Sequence, residues 1–169
     1  QELGYHVLGA VNTDFFSTAS GVPIGIVIED GVYKSSPEHE DAMIITDGQV
    51  SLVDGPSVSL TLVNQRDNST VKPSHLNKWR SESGGIYLLN QVTELLQSDQ
   101  PLAIGDGEYI LTAADASGYL SVFQSFQVGD RITLTTSCED EALSHAQWAG
   151  GVGDIMVWDG QLTDSSRWT

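Results

Sequence analysis

Three of the chain's Asp-Gly pairs set the first constraint. They stand at 30–31, 47–48 and 159–160, in the stretches IGIVIEDGVY, AMIITDGQVSLV and IMVWDGQL, each between short apolar runs. A two-residue hairpin turn that matches the twist of its strands needs positive φ at both central positions. Glycine adopts that conformation freely, and aspartate tolerates it better than most side chains. Three such turns commit much of the chain to antiparallel sheet. Gly105-Asp106-Gly107 and Gly129-Asp130 introduce two more runs, at 108–112 and 132–136. In the second run Ile132, Leu134 and Thr136 alternate with polar residues, as Val58, Leu60 and Leu62 do earlier, so both read as strands with one wet face. Residues 7–11, 24–28, 42–45, 50–53, 86–89 and 155–158 read as further short strands, and 65–70 as a polar loop.

Helical signals are few. Tyr119, Leu120, Phe123 and Phe126 fit one face of a short helix. Gly4 is placed to end a helix whose last turn is Gln1-Glu2-Leu3. The sequence therefore predicts an α+β fold, a mixed but mainly antiparallel β-sheet with a few short helices. No linker divides residues 1–169, which read as one domain. The 169 residues are 40% hydrophobic, enough for one ordinary core. Acidic residues outnumber basic ones 23 to 7, for a net charge of −16. Such a surface repels nucleic-acid phosphates and anionic membranes, so neither is an expected partner. It suits a secreted or cell-surface protein. Cys138 is the single cysteine, which excludes an internal disulfide and a cysteine-based zinc site. His6, His39, His75 and His145 show no metal-ligand spacing, and neither a metal nor a cofactor is expected. No apolar run reaches the length of a membrane-spanning helix.

The stretch GAVNTDFFSTASGVPIG, residues 9–25, carries the first candidate chemistry. Asn12 and Asp14 follow the apolar run 7–11 and share a face of an extended segment. Phe15 and Phe16 point to opposite faces, one to the core and one to a ligand. An aspartate at a strand exit is also an ordinary turn residue. Taken in order, AVNTDFF (10–16), GVPIGIVIEDGVY (21–33), LNKWR (76–80), GGIYLLN (84–90), VGDRITL (128–134) and WAGGVGDIMVWDGQL (148–162) resemble the phosphodiester glycosidase family. That family includes the enzyme that uncovers mannose 6-phosphate on lysosomal proteins. The resemblance runs over nearly the whole chain. Its members continue with an Arg-Thr-containing strand and a Leu-Asp-Gly-Gly-Gly-Ser segment, both absent here. The resemblance thus implies an incomplete domain, finished by a further segment or a second chain.

It also implies hydrolysis of a sugar-1-phosphodiester in a glycan, wall polymer or other extracellular polysaccharide. Asp14 would face positive charge at the anomeric carbon or orient water, because the transition state there resembles an oxocarbenium ion. Asn12 would bond sugar hydroxyls or phosphate oxygens, and Phe16 would meet a sugar ring. Arg80, one of few cations in an acidic chain, could clamp the phosphate or pair with a carboxylate. Gly150 and Gly151 could open a loop whose N–H groups face an anion, or form a plain connection. The indole rings of Trp79 and Trp148 belong to the core or to a sugar platform. Two other readings stand beside the enzyme: a non-catalytic β-rich module for carbohydrate binding or adhesion, and an enzyme fragment that is inactive without its remaining half.

Overall fold

The computed structural model describes residues 14–18, 21–37, 41–78, 84–89, 91–96, 107–113 and 118–167. The expected strand at 7–11 and the helix end at 1–3 lie outside them. The strands of the first half are β1 (Val27–Glu29), β2 (Val32–Ser35), β3 (Asp41–Thr46), β4 (Gln49–Val53), β5 (Val58–Asn64), β6 (Thr70–Val71) and β7 (His75–Leu76). Then come β8 (Gly84–Leu89), β9 (Gln91–Leu96) and β10 (Tyr109–Ala113), helix α1 (Leu120–Gln124), β11 (Ile132–Cys138) and helix α2 (Glu141–Ser144). Strands β12 (Trp148–Val152), β13 (Val157–Trp158) and β14 (Gln161–Leu162) and a 3₁₀ turn at Ser165–Arg167 close the described chain. The fold is mainly β, and every pairing described is antiparallel.

The Asp-Gly pairs at 30–31, 47–48 and 159–160 make hairpins. Their φ values are 51° and 74° at Asp30 and Gly31, 48° and 74° at Asp47 and Gly48, and 48° and 77° at Asp159 and Gly160. They join β1 to β2, β3 to β4 and β13 to β14. The largest sheet has the order β2-β1-β12-β3-β4. Strand β12 comes late in the chain yet fills the centre, paired on one side with β1 and on the other with β3. A four-stranded sheet, β7-β10-β8-β9, and a three-stranded one, β11-β5-β6, complete the frame.

Two apolar cores follow from the period-two burial of these strands. Ile26, just before β1, and Ile28, Ala42, Ile44 and Val53 of the large sheet pack with Leu143 and Ala146 at and just beyond α2. Leu60, Leu62, Val71, Leu76, Leu111 and Ile132 pack with Phe123 and Phe126 at and just beyond α1. Those two rings stack at 6.2 Å. Tyr33 and Val58 touch both cores. Burial and the neighbouring Cys138 thiol push the Tyr33 phenol up to about 12.

Three expectations change. The strand expected at 24–28 begins only at Val27, because Ile24 and Gly25 form a bend, and the one expected at 155–158 begins only at Val157. The glycine-rich stretch from 150, expected as a loop, is largely strand: Gly150 and Gly151 both lie within β12.

Candidate functional site

Residues 14–18 and 21–25 fold onto each other as a short antiparallel arm. Ser17 N donates to Val22 O at 2.9 Å, Ile24 N donates to Phe15 O at 2.9 Å, and Phe16 bridges Pro23. That register puts Asp14 opposite Gly25. The Gly25 N–H donates to both carboxylate oxygens of Asp14, at 3.1 and 3.2 Å. An ionised carboxylate has about four acceptor positions. Among the described residues, the Gly25 N–H is the donor that meets the half-buried Asp14.

Gly151 closes the other side. Its N–H donates to Ile26 O at 3.1 Å, which draws β12 tightly against the bend. A Cβ on Gly151 would sit 2.7 Å from Asp14 Oδ1 and 2.7 Å from Gly25 Cα. A Cβ on Gly25 would meet Gly151 Cα and lie 3.0 Å from Asp14 Oδ1. Neither glycine has positive φ. Close approach of two backbones to one carboxylate, not turn geometry, is what requires glycine here.

Buried Asp41 steadies the chain just beyond. Its carboxylate accepts from Gly55 N at 3.0 Å and from Ile155 N at 2.9 Å. The Phe15 ring lies alongside, 3.6 Å from where a Gly153 Cβ would be. Phe15 and Phe16 are each 60% exposed, so neither enters a core, contrary to the expectation for one of them. Trp148 is exposed as well.

The structure thus brings together Asp14, Phe16 and Gly151 among the residues singled out from sequence, with Gly150 next along β12. Asn12, Trp79 and Arg80 lie outside the described residues. Gly150 and Gly151 are flanked by paired strands on both sides, so their backbone groups serve the sheet. The anion-binding loop expected there does not form; the glycines supply space instead. Gly25 was not singled out, although it had a signal, a glycine inside an apolar strand-like run. Lys78, in sequence only a weaker candidate than Arg80 for a phosphate, instead turns its buried ammonium to the same bend. A cavity of about 630 Å³, lined in part by Tyr33, Leu76, Asn77, Tyr109 and Ile132, lies elsewhere and includes no part of the Asp14 arm. Among the described residues no group of three or more His, Cys, Asp or Glu side chains could hold a metal, and no helix is long and apolar enough to cross a membrane.

The fold and site define a class: a mainly β protein with a carboxylate seated where a bend meets the central strand of a sheet. Two solved structures share that fold. A hypothetical protein from Synechocystis superposes with a TM-score of 0.68 at 17% identity, over 92% of this chain and 33% of its own. A protein from Burkholderia pseudomallei K96243, described as "Putative exported protein", superposes with a TM-score of 0.53 at 12% identity, over 84% of this chain and 40% of its own. The chain therefore spans about a third to two fifths of these two neighbours. No family model matches it, and no curated protein does.

Proposed function

We propose that this chain carries the catalytic carboxylate of a hydrolase that cleaves sugar-1-phosphodiesters outside the cell. The observation that supports this reading is the seating of Asp14. A side chain that served only a turn would not need two separate segments, at Gly25 and Gly151, to give up Cβ atoms around it. The carboxylate is half-buried and, among the described residues, is held by the Gly25 N–H. A fixed negative charge there stabilises an oxocarbenium-like transition state better than it stabilises the neutral ground state. The exposed rings of Phe15 and Phe16, the next two residues of the arm, offer apolar faces to a sugar. Water adds its oxygen to C1, the C1–O bond breaks, and the phosphate monoester departs with the bridging oxygen. One proton is released to solvent or taken up by the leaving group. In this reading Arg80 and Asn12 hold the phosphate and sugar hydroxyls, as the resemblance of the NTDFF and LNKWR stretches implies. The acidic composition suits an extracellular setting, as does the description of the Burkholderia neighbour.

The test is kcat/KM on an activated sugar-1-phosphodiester for the wild type and for Asp14→Asn, with thermal melting as control. The substitution keeps size and removes charge, so the expected result is a loss of ~10²-fold or more with melting nearly unchanged. Equal activity in both would reduce Asp14 to scaffold. The same two exposed phenylalanines favour a second reading, a non-catalytic carbohydrate-binding module. Saturable glycan binding without turnover by the intact protein would select it.

A further inference from the structure

Lys78 is 1% exposed and ranks among the largest fully buried side chains described. Lysine is rarely buried to that degree unless its ammonium is paired or bonded. Its Nζ donates to three consecutive carbonyls: Pro23 O, Ile24 O at 2.9 Å and Gly25 O at 3.2 Å. The middle one matters most. Ile24 O and Gly25 N belong to the same peptide group, and the Gly25 N–H is the donor that holds Asp14. A cation on the oxygen of an amide polarises it and strengthens the N–H as a donor. It also fixes the plane of an amide beside a glycine, which has no side chain to fix it.

The ammonium is itself well placed by its neighbour. Asn77 sits in the left-handed region at φ 55°. Its side chain accepts from Ile110 N at 2.8 Å and donates to Lys34 O. Both ends of the Asn77 amide are thus spent on pinning the backbone from which Lys78 projects.

We propose that Lys78 is a positioning residue for Asp14, acting through the Ile24–Gly25 peptide group. The proposal deepens the hydrolase reading and rests on it for its catalytic consequence. The structural coupling between the two side chains does not rest on it.

The experiment compares wild type, Lys78→Met, Lys78→Arg and Asp14→Asn in the intact protein. Lys78→Met keeps the length of the stem and removes the charge. It should lower kcat ~10-fold or more while KM stays within about twofold, and Lys78→Arg should recover most of that loss. Independently of activity, the Gly25 amide proton in a ¹H–¹⁵N spectrum should move in Lys78→Met toward its position in Asp14→Asn. A Gly25 amide left at its wild-type position in folded Lys78→Met overturns the proposal. Should Lys78→Met not fold, the reciprocal measurement decides. Asp14→Asn should shift the Lys78 ammonium signal more than those of Lys34 and Lys72, and no such shift overturns the proposal. Absence of wild-type hydrolysis would sink the hydrolase reading and leave the spectroscopic arms to judge Lys78.

Discussion

Gly151 has no room for a methyl group. An added Cβ would press on Asp14 Oδ1 and on the Gly25 backbone, both at 2.7 Å, and backbone yields less easily than a flexible side chain. Gly151→Ala should therefore destabilise by about 1–3 kcal/mol in urea unfolding and lower any hydrolytic activity by displacing the carboxylate. Gly153→Ala is the internal comparison. Its Cβ would make an ordinary 3.6 Å contact with Phe15, and stability should change by no more than about 0.5 kcal/mol. Equal costs for the two would show that the packing around Asp14 is not tight. The pair also marks what could be read at this scale. Asp14 was legible because an ionisable residue interrupts an apolar context. The role of Gly151 was not, because its partner lies 137 positions earlier (151 − 14) and Gly-Gly in sequence looks like a loop. The demand for glycine arises only when two strands meet.

Turn chemistry made the hairpins legible at the scale of elements. The Asp-Gly pairs at 30–31, 47–48 and 159–160 have a local physical cause and form the turn that cause dictates; Asp54-Gly55 does not, since only its glycine has positive φ and β4 and β5 enter different sheets. Strands β6, β7 and β9 were not read, and β12 was read as loop. The first two are only two residues long, and in β12 the two glycines mask a pattern that the flanking sheet imposes. The junction of β5, β11 and the segment after α1 rests on a polar cluster instead. Asp130 accepts from Arg66 Nε at 2.8 Å, Asn64 Nδ2 at 2.6 Å and Gln127 N at 3.0 Å. The Arg66 bond first, then the Gln127 and Asn64 donors, hold its carboxyl down at about 2. An unfolded aspartate titrates near ~3.9, so the folded state binds that proton less readily. The resulting stability is fully present above ~3.9 and is lost as the pH falls through about 2. Urea unfolding from pH 5 to 2 should therefore show a smaller fall in stability for Asp130→Asn than for the wild type. Parallel pH curves would contradict the cluster.

The whole molecule is two apolar cores joined across Tyr33 and Val58, with the Asp14 arm folded over the large sheet. That the chain would form mostly antiparallel sheet with few short helices was legible, since alternation and turns act locally and add along the chain. How the sheets share the strands was not, because β12 pairs with β1 and β3 from more than 100 residues away. The two solved neighbours share this architecture at identities that speak for fold alone. Function is therefore best tested by asking which bond breaks. A glycosidase that passes through an oxocarbenium-like state cleaves C1–O, whereas attack at phosphorus cleaves P–O. Hydrolysis of a sugar-1-phosphodiester by the intact protein in ¹⁸O-labelled water, read by mass spectrometry, separates the two. The account predicts the label on the sugar hydroxyl, none in the phosphate monoester, and loss of both products in Asp14→Asn. Label in the phosphate, or undiminished turnover by Asp14→Asn, would contradict it.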